Sequence, residues 1–564
     1  MKSVTNVRVP TLCVRNSWGR FRVLSAILLT DGMTESKVEG GVVMFLPERK
    51  FCAAVIGAFL VLFVPAVFAD TAAAKSDGSE ACIACHSGTS PALVMDWQSS
   101  RHAAAGVGCL SCHAVSKTDV RAGNHMGFTV TDIVTPKDCS KCHQKEYDEF
   151  EVSHHAKAGD IMASLDNVLA EKAAGMPGNI ADASDACWQC HGSTVKFQKD
   201  AKGQMIYDSE TGFPKLLASS WPNSGIGRLN PDGSKGSCNA CHSKHNFSIA
   251  MARSPESCGK CHLGPDHPQA EIYAESKHGI AFAVNRDKMN LDKEGDWVLG
   301  KDYSAAPTCA TCHVGSYTTA DGTVVPSSHD VGARISWTNR PIVSAKINRV
   351  VFTDGFEDDY PSTQALPAIG AKLETTENRF SNGKFAPAKV TRTVAKIITW
   401  QERRDTMKGV CLNCHGVSQV NNFYDQYDDL VNLYDDKFAK IGNQLMNDLL
   451  ADKVLKANAP YEKKLQWTWY ELWHHEGRRA RMGASMMGPD YVNWHGMYEV
   501  AQVFYTGFLP EVIDAAADVS PAMKKKYEDK VAAILARPEN QWIHGLTPEQ
   551  AKALKDSYLQ KYGD

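Results

Sequence analysis

The chain has 564 residues, a formal net charge of −3 at pH 7 and 18 cysteines. Its length alone, about 495 residues once a leader is removed, suggests about three domains. The nearly balanced charge and the lack of a basic patch or nucleic-acid motif exclude a nucleic-acid-binding protein.

The N-terminal residues 1–69 are predicted to be a leader. The basic pair Arg49-Lys50 precedes an apolar run from about 52 to 64, and Val67-Phe68-Ala69 then places small residues where a signal peptidase cuts. Met44 fits as the start of this signal peptide, and the residues before it are interpreted as an over-extended start. An uncleaved membrane anchor is the alternative, but the run is short for a spanning helix, and no later segment is apolar enough to span a bilayer.

Sixteen cysteines form eight copies of the pattern C-x-x-C-H, which is typical of c-type haem attachment. Two thiols three positions apart form thioethers to one haem, and the following imidazole is the proximal iron ligand. Zinc sites, thioredoxin-like motifs and disulfides do not explain a histidine after every pair. In chain order the motifs are Cys82/Cys85/His86, Cys109/Cys112/His113, Cys139/Cys142/His143, Cys187/Cys190/His191, Cys238/Cys241/His242, Cys258/Cys261/His262, Cys309/Cys312/His313 and Cys411/Cys414/His415.

Residues 70–415 are predicted to be the octahaem domain, in which the haems supply much of the core. The motif spacing is irregular, which excludes a solenoid of equal repeats. Segments rich in Gly, Pro, Ser and Asp lie between the motifs and predict short helices and loops wrapped around the haems. The stretch from about 341 to 400 has β character and predicts a small β insert.

Residues 416–564 are predicted to form a long helical domain, so the fold class is mainly α. Tyr434, Phe438, Ile441 and Leu445 recur at helical spacing and predict one buried face. Further helical runs are predicted at about 461–481, 494–507 and 521–536. We expect these helices to pack on the haem array and on another subunit.

Twelve of the 20 histidines lie outside the motifs and are candidates for distal iron ligands. A haem that only transfers electrons usually takes a second strong axial ligand, and imidazole is a preferred one. Several candidates share a Ser-x-His pattern, and the alternative for each is a surface or core histidine. The predicted distal ligands are His102, His125, His155, His278, His329 and one or both of His474 and His475.

Two local signatures carry a resemblance to a known family. The first is Cys258-Gly-Lys-Cys-His262-Leu-Gly-Pro-Asp266-His267-Pro, and the second runs from Arg481 to Gly496 and contains Gly488-Pro489-Asp490-Tyr491. With eight motifs and a helical tail, the whole mature chain resembles the octahaem hydroxylamine oxidoreductases.

The resemblance implies one five-coordinate catalytic haem at the fourth motif, with His191 as its proximal ligand; the fifth motif is the second choice. Related nitrite reductases have lysine where this chain has His191, a difference that fits oxidative use. The resemblance also implies that Asp266 and His267 lie above the open iron, with a distal tyrosine for which Tyr360 is in range. It implies that Tyr491 is covalently joined to the catalytic haem of a neighbouring subunit in a homotrimer.

The chemistry of Asp266 and His267 supports this interpretation independently. Hydroxylamine bound through nitrogen to ferric iron must lose protons as it loses electrons, and a carboxylate beside an imidazole accepts them. The alternative is that His267 is another distal ligand with Asp266 as its hydrogen-bonding partner. For Tyr491 the alternative is a packing tyrosine after a turn.

The predicted function is periplasmic oxidation of hydroxylamine to nitric oxide or nitrite, with a cytochrome c acceptor. Haem propionates would make the holoprotein acidic, which favours a basic or small soluble redox partner. Three alternatives stay open: a hydrazine dehydrogenase, which keeps the same tyrosine; a reductase of nitrite or hydroxylamine; and a non-catalytic electron carrier, which would need eight six-coordinate haems.

Overall fold

The computed structural model describes residues 77–163 and 188–563. The predicted leader and Cys187 of the fourth motif lie outside the described residues. In the haem-bearing region, short helices alternate with long loops, as the composition predicted. These helices are Glu80–Thr89, Pro91–Gln98, Arg101–Ala104, Cys109–His113, Pro136–Cys139, Gln144–Glu151, Trp188–His191, Ile249–Arg253, Pro255–Gly259, Gln269–Glu275, Lys277–Val284, Cys309–His313 and Trp400–Cys411.

Several C-x-x-C-H motifs lie on single helical turns, because that spacing puts both thiols and the imidazole on one face of the turn. The seventh motif forms the helix Cys309–His313, and Thr308 caps it by accepting a hydrogen bond from the backbone N–H of Thr311. A cap of this kind satisfies a backbone donor that the helix itself leaves unpaired. The local sequence therefore sets the geometry of each attachment site.

The predicted β insert is an antiparallel five-stranded sheet. Its strands are β6 (Trp337–Thr338), β7 (Ala345–Phe352), β8 (Glu357–Pro361), β9 (Lys372–Ser381) and β10 (Lys384–Ile398), in the order β6-β7-β10-β9 with β8 paired to β7. Asn382 and Gly383 join β9 to β10, with φ values of 51° and 75°. Positive φ at both positions is what a two-residue hairpin turn requires.

Two smaller sheets escaped prediction because their strands are only two or three residues long. A hairpin pairs β1 (Gly123–His125) with β2 (Phe128–Val130). A three-stranded sheet has the order β3 (Val298–Leu299), β4 (Ser316–Thr318) and β5 (Val324–Val325). The first of these sheets matters for function, since it carries His125.

The C-terminal region is helical, as predicted, and contains one further helix, Pro548–Tyr562, that the sequence did not reveal. Its α-helices are Val417–Tyr434, Lys440–Ala451, Lys464–Glu471, Gly477–Met486, Pro489–Val492, Glu499–Val503, Leu509–Ala517, Pro521–Leu535 and Pro548–Tyr562. Short π-helical segments at 435–439, 472–476, 493–498 and 504–508 join several of them without a break. The fold is therefore mainly α with a small sheet, as expected.

The helices of the tail share one apolar core, and the four residues predicted from helical spacing all belong to it. Gly442 lies against Trp469, where an added Cβ would be 2.1 Å from the indole ring. Only glycine allows the two helices to approach this closely. No helix among residues 77–163 and 188–563 is both long and apolar enough to cross a membrane.

The tail also packs directly on the haem-bearing region. Arg478 donates to the carbonyl oxygen of Arg340 at 2.9 Å, and Arg481 donates to that of Pro341, also at 2.9 Å. Residues 71–564 form one compact unit. The predicted packing of the tail on the haem array is thus seen at the helix Gly477–Met486.

Candidate active site

One continuous cavity of about 2730 Å³ runs through the haem-bearing region. Seven of the eight predicted proximal histidines line it, all except His415, together with most of the described motif cysteines. Polar and charged side chains from the tail complete the wall, among them Arg478 and Ser485. The motifs therefore surround a shared space and are not isolated on the surface.

Six proximal histidines each face a second histidine across this region. A metal–imidazole bond of about 2 Å, with the nitrogen about 1 Å from the ring centre, puts two rings on opposite sides of one metal ion about 6 Å apart. The observed centroid distances are 6.2 Å for His86–His125, 6.4 Å for His113–His245, 6.2 Å for His102–His143, 6.5 Å for His242–His329, 6.2 Å for His155–His262 and 6.0 Å for His278–His415.

Five of these six facing residues are ones that we predicted as distal ligands. The sixth, His245, was not predicted, although Ser243 and His245 form the same Ser-x-His pattern as several of the others. Backbone carbonyl oxygens orient some of the rings: the Nδ1 atom of His113 is 2.7 Å from the carbonyl oxygen of Thr131, and that of His125 is 2.8 Å from the carbonyl oxygen of Thr211. A hydrogen bond at Nδ1 leaves Nε2 to bind a metal.

The structure puts His474 and His475 elsewhere. His474 is 3% exposed and stacks on Tyr470 with ring centroids 4.3 Å apart, and His475 lies 5.3 Å from His474. Among the described residues neither histidine lines the cavity. The geometry therefore gives no support to the prediction that they are distal ligands.

Contacts between cysteines reveal the spatial order of the motifs. The thiols of three pairs lie close enough to interact directly, namely Cys139–Cys238, Cys190–Cys261 and Cys258–Cys309. Four further pairs are electrostatic neighbours, namely Cys82–Cys109, Cys112–Cys139, Cys241–Cys258 and Cys312–Cys411. The motifs therefore follow the order 1-2-3-5-6-7-8, and the fourth motif joins this line beside the sixth.

Two of the predicted haem-binding cysteines, Cys85 and Cys414, depart from the rest. Both are exposed, as is Cys142 of the third motif, but among the described motif cysteines these two alone do not line the cavity. They belong to the first and eighth motifs, which stand at the two ends of the spatial order and have a neighbouring motif on one side only. In each of these motifs the first cysteine, Cys82 or Cys411, faces that neighbour and lines the cavity.

The physical reason is the end position of these two motifs, because no further motif covers their outer side. Cys85 and Cys414 follow their partner cysteines by three positions, which is close to one helical turn, so both thiols of each motif stay near one face of the turn. Cys85 and Cys414 stay predicted thioether positions, for haems whose outer edges face solvent.

The fourth motif ends in the helix Trp188–His191, and the backbone then turns at Gly192, where φ is +81°. An added Cβ at Gly192 would be 2.3 Å from the backbone nitrogen of Arg228. Gly227 donates its N–H to the carbonyl oxygen of His191 at 3.0 Å. A glycine-lined loop is thus held against this motif, and any side chain at position 192 would push it away.

Asp266 and His267 form a close pair beside the fourth and sixth motifs. The Nδ1 atom of His267 is 2.5 Å from Oδ1 of Asp266, and its Nε2 atom is 3.1 Å from the carbonyl oxygen of Cys261. Arg478, from the tail, donates to Oδ2 of Asp266 at 3.3 Å. No sequence signal pointed to Arg478, because it comes from a distant helix.

The hydrogen bond between the two side chains favours the charged form of each. Burial opposes ionisation of Asp266, but its hydrogen bond to His267 and the positive charge nearby outweigh that effect and lower its pKa to about 2. Burial also opposes protonation of His267, but the hydrogen bond and charge of Asp266 raise its pKa above the ordinary value. An imidazole with a raised pKa is a stronger base.

The position of the pair favours the fourth motif over the fifth as its partner. His267 interacts electrostatically with Cys190 of the fourth motif. His262 of the sixth motif also lies near the pair, with its ring 6.3 Å from that of His267, but His155 already stands opposite it at 6.2 Å, and the fifth motif has His329 opposite His242. The geometry thus leaves the fourth motif as the best partner for Asp266 and His267.

Tyr491 lies on the surface side of the tail. It stands in the helix Pro489–Val492, whose N-terminus is held by Oε1 of Glu275, which accepts from the N–H of Asp490 at 3.0 Å. Its ring is 5.8 Å from that of His495. Among the described residues, Met482 and Met487 of the tail line the cavity but Tyr491 does not.

Tyr360 does not face the cavity either. It lies in β8, where side chains alternate between the two faces of the sheet. Asp359 and Pro361 line the cavity, and Tyr360 packs on the opposite side against Val350 and Phe352. Tyr360 therefore does not match the distal tyrosine that the resemblance implied.

The residues present fit c-type haems. Apart from the two cysteines at the ends of the line, every described motif thiol lines the cavity. Six of the eight proximal imidazoles have a second imidazole at the separation that one iron requires. Bound there, the haems would be held by the motif cysteines and histidines. The remaining space beside the fourth motif is bordered by acid–base groups.

Comparisons with known proteins agree with this arrangement. A family model described as "Seven times multi-haem cytochrome CxxCH" matches residues 232–364, and one described as "Cytochrome c554 and c-prime" matches residues 67–114 and 138–212. A probable nitrite reductase-hydroxylamine oxidoreductase fusion protein of Kuenenia stuttgartiensis is 27% identical over 251 residues, which are 41% of this chain and 25% of the fusion protein. The match thus spans about a quarter of that relative's length.

One solved multihaem structure shares the fold. A structure titled "Hypothetical multiheme protein" aligns with a TM-score of 0.62 at 23% identity, covering 79% of this chain and 97% of its own. A reducing hydroxylamine oxidoreductase-like complex of Kuenenia stuttgartiensis aligns with a TM-score of 0.45 at 17% identity. The motifs, the facing imidazoles and the two family models identify the chain as a multihaem cytochrome c, and part of it is similar to the nitrite reductase-hydroxylamine oxidoreductase fusion protein.

Proposed function

We propose that this protein oxidises hydroxylamine to nitric oxide or nitrite and passes the electrons through its haems to a cytochrome c. The observation that carries the proposal is the hydrogen-bonded Asp266–His267 pair beside the fourth motif, while six other motifs have facing histidines. A site bordered by a base, next to a line of electron-transfer groups, suits a substrate that loses protons and electrons together.

Loss of three protons and three electrons converts hydroxylamine to nitric oxide. Addition of water, with loss of two more protons and one more electron, gives nitrite. When bound, the haem of the fourth motif would supply the iron that binds the substrate nitrogen and withdraws its electrons. Oxidised cytochrome c is the final acceptor, and the protons leave to solvent through groups of the protein.

The protein's own residues handle the protons. The neutral form of His267 accepts one from the substrate, and Asp266 stabilises the imidazolium that results. Arg478 fixes the second oxygen of Asp266, so the carboxylate keeps its orientation towards the imidazole. The positive charge of Arg478 also keeps Asp266 ionised through the cycle.

We further propose that eight haems are attached, since sixteen cysteines fall into eight motifs, and that the mature protein lies outside the cytoplasm, where c-type haems are attached. Intact mass and haem staining of the matured protein test the count. A mass that fits seven or fewer haems would contradict it.

The oxidative direction rests on Tyr491, which we propose is joined to the catalytic haem of a neighbouring subunit in a homotrimer. Two features support a role at a subunit contact. Tyr491 does not line the cavity of its own subunit, and Trp494 and Tyr498, on the same stretch of helix, are 64% and 56% exposed. Large exposed aromatic side chains are typical of interaction surfaces.

A reductase of nitrite or hydroxylamine is the second candidate, because the Kuenenia relative is named as a fusion that includes a nitrite reductase. Steady-state assays of the purified holoprotein separate the candidates. We expect oxidation of hydroxylamine with oxidised cytochrome c as acceptor, and hydrazine is tested in parallel as the alternative substrate. Reduction of nitrite by a reduced donor, with no oxidation of either compound, would replace the proposal by the reductase. A protein that does neither, and whose haems are all low-spin, would be an electron carrier.

A further inference from the structure

We infer that Asp359 is a positioning residue that clamps together the two chain segments whose histidines face the fifth and sixth motifs. The inference goes beyond the oxidation of a particular substrate and rests only on the haem array. It depends on a buried ionic network in which Asp359 is the shared acceptor, with His154, Arg349 and Arg403 as its partners.

The first clamped segment contains His154 and His155. The Nε2 atom of His154 is 2.8 Å from Oδ2 of Asp359, and the next residue, His155, faces His262 of the sixth motif at 6.2 Å. Lys157 gives a second tie, because its Nζ atom donates to the carbonyl oxygen of Glu357 at 2.7 Å. The insert sheet thus holds this segment at two points.

The second clamped segment runs from His329 to Gly332. His329 faces His242 of the fifth motif at 6.5 Å. The carboxylate of Asp330 pairs with Arg349, and the carbonyl oxygen of Val331 is 3.3 Å from Nδ1 of His313, the predicted proximal ligand of the seventh motif. The carbonyl oxygen of Gly332 accepts from Arg403 at 2.7 Å. These four consecutive residues therefore contact two motifs, the fifth through His329 and the seventh through Val331.

Asp359 joins the two segments. Its Oδ1 atom accepts from Arg403 at 3.0 Å and from Arg349 at 3.3 Å, while Oδ2 faces His154. The side chains of Arg403 and Arg349 are 1% and 5% exposed. Removing one partner from a buried ionic network leaves the other charges uncompensated, so such networks are sensitive to single substitutions.

The segments also touch directly. An added Cβ at Gly332 would be 2.7 Å from Cδ2 of His154, so the ring of His154 packs against the backbone of Gly332. This contact and the ionic network fix the positions of His155 and His329 relative to each other. The orientation of an axial imidazole and the fixed charge around it are two of the means by which a protein sets the properties of a haem.

The clamp lies where the fourth motif joins the line of the other motifs. The fifth, sixth and seventh motifs are consecutive in the spatial order, and the fourth motif joins that order at the sixth. Every electron that leaves the fourth motif along the line of motifs therefore passes the clamped junction. We expect Asp359 to hold the low-spin haems of this junction in one arrangement.

The test uses the fully matured holoprotein without substrate. In Asp359→Asn, which keeps the shape of the side chain but removes its charge, we expect altered electron paramagnetic resonance signals and shifted midpoint potentials for a subset of the low-spin haems. Haem content, measured by pyridine haemochrome, should equal that of the wild type. A merely structural surface residue would not produce a selective change of this kind.

Glu377→Gln is the matched control. Glu377 is 16% exposed, like Asp359, and pairs with the buried Arg392 at 2.7 Å in the same sheet, yet it contacts neither clamped segment. We expect its spectra and potentials to match the wild type. If Asp359→Asn folds poorly, Arg403→Lys, which keeps the charge but loses the two-point contact, should produce the same selective shift.

Unchanged signals and potentials in both Asp359→Asn and Arg403→Lys would overturn the inference. An equal shift in Glu377→Gln would overturn it too, because the effect would then come from the sheet in general. Neither readout involves substrate turnover. A failure to oxidise hydroxylamine would therefore count against the proposed function and leave this inference standing.

Discussion

The haem-bearing region and the helical tail acquire their cores in different ways. The tail buries a single large apolar cluster, which includes Leu449, Phe504 and Phe508 with no measurable exposure. The haem-bearing region has smaller apolar clusters and surrounds a cavity of about 2730 Å³ with many buried polar and charged side chains, such as Arg121 and Arg228. The tail is therefore stabilised chiefly by apolar burial, whereas the haem-bearing region depends on covalently attached groups.

The largest expected effect concerns the proposed contact between the tail of one subunit and the haem-bearing region of another. Native protein should show, on denaturing gels, a species heavier than the 61.7 kDa chain that reducing agents do not dissolve. Tyr491→Phe should abolish that species completely, because the phenyl ring lacks the reactive oxygen, and should favour reduction over oxidation. Tyr558→Phe, at an exposed tyrosine in the last helix of the tail, is the control and should keep it. A wild-type protein that runs wholly as a monomer would rule out the cross-link.

The next largest effect concerns acid–base chemistry. His267→Ala and Asp266→Asn should lower turnover of hydroxylamine on the order of 10²–10⁴-fold, as expected for loss of a general base or its partner. Haem content should not change. His495→Ala is the matched control, because His495 is also paired with a carboxylate, Glu499 at 3.0 Å, but lies exposed on the tail. Full turnover in both site variants would show that the pair is structural.

A smaller and purely structural effect is expected in the tail. Leu449→Ala should destabilise the tail by about 2–5 kcal/mol, because it opens a cavity in a closely packed apolar core. Its neighbour Leu450 is 37% exposed, and Leu450→Ala should change stability by less than about 0.5 kcal/mol. Thermal melts of the holoprotein followed by circular dichroism measure both. If the haem absorption changed as much as the helical signal, the two regions would not differ as we argue.

The smallest expected effect is a displacement along the pH axis. Asp266 raises the pKa of His267 above the ordinary value of about 6.5. As the pH falls through this raised pKa, His267 becomes protonated and can no longer act as a base, so kcat/KM should decline. Asp266→Asn removes the negative charge, so the pKa of His267 falls and this acidic limb should move to lower pH. Profiles of kcat/KM against pH for both proteins measure the displacement. A limb that stays in place would mean that another group controls it.

Local sequence patterns determined much of the fold. The spacing of each motif, the antiparallel insert and the apolar face through Tyr434, Phe438, Ile441 and Leu445 are all short-range features, and each was recognisable before the structure was known. The adjacency of the aspartate and histidine beside the fourth motif is equally local, so their pairing needed no tertiary information. Five of the six histidines that face a proximal histidine were also among those predicted.

The tertiary structure determines which motifs lie at the two ends of the array. The motif pattern is the same in all eight copies, so it treats Cys85 and Cys414 like every other motif cysteine. The structure leaves these two exposed and outside the cavity, because no further motif packs on their outer side. The degree of burial of a haem edge thus depends on neighbours that the local pattern does not specify.

Tertiary structure alone decided which groups meet. The third motif contacts the fifth and the fourth contacts the sixth, an order that chain position does not reveal. His245 faces His113 although it was not selected, while His474 and His475 pack among aromatic rings of the tail. Arg478 reaches the acid–base pair from a distant helix. The physical reason is the same in each case, because a motif fixes only the geometry of its own turn, whereas the partner across the cavity depends on how distant segments pack.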